Sequence, residues 1–151
     1  MSLSIRRAGV ADAALVAEFN RLLALESEGK TLDATVLAAG VAAGLADPNK
    51  SVYFLAEEDG KAVGQIMYTL EWSDWRNGWF WWIQSVYVCA EARRRGVFRA
   101  LYEHVEQAAR ADGNVIGLRL YVEQANHVAQ ETYRRMGMEA AGYFVFQRYP
   151  L

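Results

Sequence analysis

The stretch WFWWIQSVYV, residues 79 to 88, constrains the fold more than any other part of the chain. It is almost entirely aromatic and β-branched, with no regular polar alternation, which predicts a central strand buried on both faces. It runs on through Cys89 into ARRRGVFRAL, residues 92 to 101. There, three arginines and Gly96 precede an apolar helical stripe at Val97, Leu101, Val105 and Ala108. Gly113, in ADGN, stops that helix. A strand whose carboxyl end feeds a helix N-terminus makes a natural ligand site, because the first-turn N–H groups have no partner inside the helix.

The same periodicities organise the remainder. Residues 3 to 7 read as a short strand, and Leu15, Phe19, Leu22 and Leu23 recur at helical spacing behind a candidate cap, Asp12. Asp33 is placed to cap a second helix through Val36, Leu37, Val41 and Leu45. SVYFLAEEDGKAVGQIMYTL is two β-rich runs around Asp59-Gly60, a hairpin signal, and EWSDWRNG reads as the loop after it. Beyond Gly113 come a strand, VIGLRLYV, a helix, NHVAQETYRRMG, and a closing strand, YFVFQRY. The expected order is strand, two helices, three strands, helix, strand, helix, strand: a mixed sheet with helices on its faces. With 151 residues, 53% of them hydrophobic, this fits a single domain, 1–151.

Charge and cysteine content exclude several classes. Sixteen basic against eighteen acidic residues leave a net charge of -2, so nucleic acid is not an expected partner. The basic patch at Arg93, Arg94 and Arg95 is local. It sits where the helix dipole is already positive, so these side chains are either solvated or built to hold an anion. One cysteine, Cys89, excludes an intramolecular disulfide framework and any Cys-based zinc site; it fits a reducing compartment, and no metal is expected. No uncharged apolar run approaches the roughly 18 residues that span a bilayer, and the N-terminus lacks a signal-peptide core. A cytoplasmic protein with no membrane partner is the expectation.

Two segments together carry a resemblance. VYVCAEARRRGVFRALYEHV resembles the acetyl-CoA-binding segment of the GNAT acetyltransferase superfamily, a strand followed by Arg/Gln-x-x-Gly-x-Gly/Ala at a helix start. That pattern is met by Arg93-Arg94-Arg95-Gly96-Val97-Phe98. YVEQANHVAQETYRRMGM resembles the family's later strand-to-helix segment, with Asn126, Ala129, Tyr133 and Gly137-Met138 in its recurring places. The element order agrees over essentially the whole chain. The resemblance implies an α/β (α+β) fold, GNAT-like: a mixed, mostly antiparallel central sheet flanked by about four helices. Phe98 stands where the family has a small residue, which requires its ring to point away from the ligand and leave its N–H free.

What the resemblance implies chemically is direct transfer of an acetyl group from acetyl-CoA to an amine of a small molecule or protein, without a covalent enzyme intermediate. The main chain of Val86, Tyr87 and Val88 would position the thioester. Arg93, Arg94, Arg95, Gly96, Val97, Phe98 and Arg99 would form the pyrophosphate cradle, and Asn126 would cap its helix and meet the pantetheine arm. Tyr133, a phenol with pKa near 10, is the expected general acid toward the leaving thiolate, and also serves as a cofactor contact. An ammonium must lose a proton before it attacks. Glu71 is the first choice of base, with Asp74, Glu26, Glu28 and a water on Gln84 as alternatives.

Trp72, Trp75, Trp79, Trp81 and Trp82 fall within eleven residues. Trp72 and Trp75, with Glu28, Asp74 and Gln84, are expected to line the acceptor pocket, where aromatic faces hold a cationic amine. Packing against helices or inside a homodimer accounts for the tryptophans equally well. His104 and His127 read as surface residues. The competing function is a non-catalytic acyl-CoA-binding module, which would keep the cradle and lack turnover.

Overall fold

The computed structural model describes residues 2–151. In chain order the elements are β1 (Leu3–Arg7), α1 (Ala13–Glu28), α2 (Ala34–Ala46), β2 (Val52–Glu58), β3 (Lys61–Ser73), β4 (Gly78–Val88), α3 (Val97–Asp112), β5 (Val115–Leu120) and α4 (His127–Arg135). The sheet order is β1-β2-β3-β4-β5, antiparallel through β4, with β5 parallel to β4. This is the mixed, mostly antiparallel sheet with four helices that the sequence predicts. The chain divides into a compact unit running to Leu120 and a second one, Tyr121–Leu151.

Local chemistry sets the boundaries. Asp33 caps α2, its carboxylate accepting from the Val36 N–H at 3.0 Å. Asp12 does not cap α1 in this way. Its carboxylate accepts from Arg6 at 2.8 and 3.0 Å and from the Gly9 N–H at 2.9 Å, closing a short 3-10 turn before α1 begins. The β2–β3 hairpin turns at Asp59 (φ +52°) and Gly60 (φ +80°), the left-handed pair expected of a two-residue turn.

Three expectations are corrected. EWSDWRNG is not a loop: β3 runs through Ser73 and β4 starts at Gly78, because Glu71, Trp72 and Ser73 pair with Phe80, Trp79 and Gly78. YFVFQRY is not a regular strand: residues 143–149, in the second unit, are irregular. The strand buried along both faces is β2, from Val52 to Ala56. On β4 only Trp81, Ile83 and Tyr87 within the aromatic run are buried, while Phe80 and Trp82, on the opposite face from Trp81, are half-exposed.

One face of the sheet packs on α1 and α2 through Val16, Phe19, Val41, Tyr53, Leu55 and Tyr87. The other is covered by α3, which buries Val97, Leu101 and Val105. There His104 meets Phe54 edge-on at 4.6 Å, so it is a packing residue and not simply a surface one. Gly64 of β3 allows α3 to approach: a Cβ would lie 2.9 Å from the Tyr87 carbonyl oxygen and 3.2 Å from Val97 Cγ1. Gly64→Ala is therefore expected to cost about 1–3 kcal/mol by overpacking. A urea titration measures this, and an unchanged midpoint would mean that the first turn of α3 yields freely.

Candidate cofactor and acceptor site

The site begins with an irregularity in β4. Pairing of β3 with β4 passes from Gln65↔Tyr87 to Met67↔Gln84, so Ile66 alone stands opposite both Ser85 and Val86. This is a β-bulge, with Ser85 at φ +52°. A buried polar chain supports it. Gln65, fully buried, donates through Nε2 to the Ser85 carbonyl at 3.0 Å and to Asn20 Oδ1 at 3.4 Å. Asn20 Nδ2 in turn donates to the Tyr53 hydroxyl at 3.4 Å and to the Val16 carbonyl at 3.1 Å.

The second irregularity is a parting of strands. The β4–β5 ladder ends at Ile83↔Leu120, although β4 continues to Val88. Cys89 N–H donates back to the Val63 carbonyl at 2.8 Å, so by strand alternation the main-chain groups of Val86 and Val88 turn toward the side that β5 has left. The Val88 carbonyl there accepts from Arg93 Nε at 3.0 Å, and extended backbone of this kind can bind another extended chain by adding to the strand.

The loop to α3 supplies the third feature. Arg94 (φ +64°) and Gly96 (φ +82°) are both left-handed, and α3 starts at Val97 with no side-chain cap. The first intrahelical bond is Ala100 N–H to the Gly96 carbonyl, 3.0 Å. No side chain of the N-cap residue meets the first turn of α3, which carries the positive end of the helix dipole. The Phe98 ring lies 6.3 Å from that of Tyr102, one turn further along α3.

Carboxylates answer part of the arginine charge. Arg93 pairs with Glu26 of α1 and donates through Nε to the Val88 carbonyl at 3.0 Å. Arg95 pairs with Glu58 of β2 at 2.8 Å, and Arg99 with Glu103 at 3.6 Å. Among the described residues, Arg94 makes no ion pair. Glu26 also accepts from the Tyr87 hydroxyl at 2.7 Å. Hydrogen bonds from Arg93 and then Tyr87 hold the Glu26 carboxyl below its usual range. Burial first, and Glu26 second, push the Tyr87 phenol up to about 12.

Two cavities open here. One, of about 270 Å³, is lined by Glu26, Val86, Tyr87, Val88 and Arg93, which joins four of the residues singled out in the sequence with a candidate base. The other, about 450 Å³, lies between α1, α2 and the β4 bulge and includes Asn20, Leu23, Glu28, Leu37, Tyr53 and Ser85. Among the described residues, Glu28 is the only carboxylate on its walls. Gln84 is on the walls of neither cavity, its Nε2 donating to Thr69 Oγ1 at 2.8 Å. Trp72, Asp74 and Trp75 line neither cavity: Trp72 packs edge-on against Trp79 at 5.0 Å, and Trp75, in the β3–β4 turn with Asp74, is 86% exposed.

Glu71 is a strand residue, not a loop carboxylate. Arg119 of β5 donates to it at 2.7 Å and stacks over the Phe80 ring at 3.6 Å. The sequence reading passed over Asn20, Tyr53, Gln65 and Ser85. A glutamine inside the apolar run VGQIM was the available signal, since a polar side chain there needs buried partners.

In the second unit, Asn126 caps α4, its Oδ1 accepting from the Ala129 N–H at 3.1 Å. Gly137 (φ +92°) and the Met138 N–H to Tyr133 carbonyl bond, 3.0 Å, close the other end of that helix. Burial raises the Tyr133 phenol above its usual value.

The parting of β4 from β5 lies just ahead of the uncapped start of α3, and the fold around it is that of acetyltransferases. The sequence model of the Acetyltransferase (GNAT) family matches residues 17–138, and the chain belongs to that family. It is 44% identical to a "possible acetyltransferase" from Clostridium difficile 630, with a TM-score of 0.94 over 100% of this chain and 99% of the other. Two more distant structures share the fold. One is a ribosomal-protein-alanine N-acetyltransferase from Brucella melitensis biovar Abortus 2308 (16% identity, TM-score 0.80, covering 99% and 100% of the two chains). The other is a predicted acetyltransferase with acetyl-CoA from Clostridium acetobutylicum (17%, 0.79, 97% and 96%). No curated protein matches the sequence.

Proposed function

We propose that this chain transfers the acetyl group of acetyl-CoA directly to an amine of a small molecule or protein, as a single cytoplasmic domain over residues 1–151. The observation that carries this is the coincidence of the family's cofactor motif with the parted end of β4 and the uncapped start of α3. The residues there fit the cofactor. First-turn N–H groups from Val97 to Arg99, the left-handed Arg94 and Gly96, and the arginine side chains would hold the pyrophosphate. Main-chain groups of Val86 and Val88 would pair with the pantetheine arm, helped by the Asn126 amide.

When bound, acetyl-CoA supplies an activated acyl carbon and a thiol leaving group. Outward-facing N–H groups of the Val86–Val88 stretch orient the acyl oxygen and stabilise charge that develops on it. Tyr133 holds a proton on its phenol for the departing sulfur, and its raised pKa keeps that proton in place at neutral pH. For the proton acceptor we favour Glu28 over Glu71. Glu28 faces the larger cavity and has only an exposed partner, Lys30 at 3.2 Å, whereas Glu71 is held by Arg119. The walls contributed by Leu23, Leu37 and Val41 fit an amine carried on an apolar arm.

Thiol release from acetyl-CoA across a panel of amines, with mass detection of the acetylated product, tests the proposal. Tight CoA binding with no turnover on any amine would favour the non-catalytic module. The Arg93–Glu26 pair gives a separate prediction. Glu26→Gln frees the Arg93 guanidinium for phosphate, and CoA binding is expected to tighten about two- to tenfold by calorimetry, a charge-assisted contact being worth roughly 1 kcal/mol or more. Weaker binding would mean that Glu26 holds Arg93 in its binding position.

A further inference from the structure

We propose that the Tyr53 hydroxyl donates a hydrogen bond into the larger cavity, to a neutral carbonyl oxygen carried on the apolar arm of the acceptor amine. The site then takes amino amides in preference to plain alkylamines and to amino acids. For the amine end of the ligand this rests on the acetyl-transfer reading. The basis is the direction in which the buried hydrogen-bond chain runs. Main-chain carbonyl oxygens stand at two points along it, Ser85 beside Gln65 Nε2 at 3.0 Å and Val16 beside Asn20 Nδ2 at 3.1 Å. A carbonyl oxygen only accepts, so each one fixes which end of the neighbouring side-chain amide is nitrogen.

Asn20 consequently turns Oδ1 to Gln65 Nε2 and Nδ2 to the Tyr53 oxygen, both at 3.4 Å. The Tyr53 oxygen must accept, and its own proton is left to go elsewhere. Among the described residues, the bond from Asn20 is the one that this hydroxyl makes. Reversing the two amides would set oxygen against oxygen at Ser85 and at Val16. The chain keeps its direction even though Gln65 Oε1 is buried with no partner among the described residues. Asn20, Tyr53 and Gln65 are all buried, and Asn20, Tyr53 and Ser85 stand on the walls of the 450 Å³ cavity. A buried O–H at a cavity wall needs an acceptor, and the occupant is placed to supply it.

The remaining walls say which acceptor. Beyond these three residues and Glu28 they are aliphatic side chains and Gly40, with no lysine or arginine among the described residues. A ligand carboxylate would lose water there, find no cation and share the cavity with Glu28, whereas a neutral carbonyl oxygen avoids all three costs. The Glu28 carboxylate suits the ammonium end of the ligand. An alkylamine without the carbonyl would leave the Tyr53 O–H unpaired, the situation in which polar sites discriminate most strongly.

Calorimetry on the full chain with CoA present tests this, using linear ω-amino amides of graded arm length. Each is matched to the alkylamine lacking the carboxamide and to the corresponding ω-amino acid. At the length that binds best, the amide is expected to bind at least about tenfold tighter than either, 1.4 kcal/mol. Tyr53→Phe should bring amide and alkylamine to within about twofold of each other, because the donor is gone. Asn20→Asp keeps the phenol but sets an acceptor against it, drawing the proton inward, and should abolish the preference likewise; it decides the matter if Tyr53→Phe fails to fold. A wild type that binds no amino amide, binds amide and alkylamine alike, or prefers the amino acid would overturn the proposal, as would a folded variant that keeps the preference. Thiol release from acetyl-CoA with the same ligands judges acetyl transfer separately. A Tyr53-dependent preference without turnover sinks that reading and leaves the role of Tyr53 standing, and turnover without the preference does the reverse.

Discussion

Tyr133→Phe is expected to lower kcat about a hundred- to ten-thousandfold, the usual worth of a positioned general acid, while CoA affinity stays near the wild-type value. The substitution removes one hydroxyl and keeps the ring, so helix packing around position 133 is retained. Burial holds the Tyr133 phenol above its ordinary pKa of 10. Desolvation disfavours the phenolate, so the proton is held throughout the neutral range and lost only as pH rises through the raised value. For the wild type, kcat should therefore show no loss assignable to this group until above pH 10, and the Phe variant should lack that alkaline limb. Single-turnover rates and calorimetry on the same preparations separate chemistry from binding. Wild-type rates in the variant at every pH would remove Tyr133 from the reaction.

The parts of the fold visible in the sequence were those written in local chemistry. Asp59-Gly60 dictates a left-handed turn whatever surrounds it, and Asp33 caps α2 through a bond spanning three residues. Gly96 ahead of Val97, Leu101 and Val105 likewise marks the start of α3 from neighbouring positions alone. What stayed hidden depends on partners distant in the chain. Glu71 looked like a loop carboxylate until its pairing with Phe80, and its bond to Arg119, 48 residues on, placed it in a strand. Asp12 looked like a helix cap, but Arg6 and Gly9 claim its oxygens. The bulge at Ser85 arises because β3 offers one residue against two of β4, a register difference that neither strand records alone.

Gly96→Val is expected to weaken CoA binding about tenfold or more, and the reason is conformation and not crowding. A Cβ at position 96 would meet nothing within 4 Å, yet the backbone there stands at φ +82°. Left-handed backbone costs an L-residue about 1–2 kcal/mol, and a β-branched side chain more. Arg94, two residues earlier, already bears such a cost at φ +64°. Left-handed positions at 94 and 96 turn the chain sharply just ahead of α3, whose start carries the positive end of its dipole. A valine that relaxes to negative φ would open that turn and loosen the entry to α3. Gly96→Ala keeps the same open surroundings and should lose less, by about 1 kcal/mol, separating backbone preference from side-chain bulk. Calorimetric titration with CoA, alongside thermal unfolding of each variant, distinguishes a damaged cradle from a damaged fold. If Gly96→Val melts earlier but binds CoA as tightly as the wild type, the phosphates are held elsewhere, and the arginines at 93 to 95 return to being a loop tied down by Glu26 and Glu58.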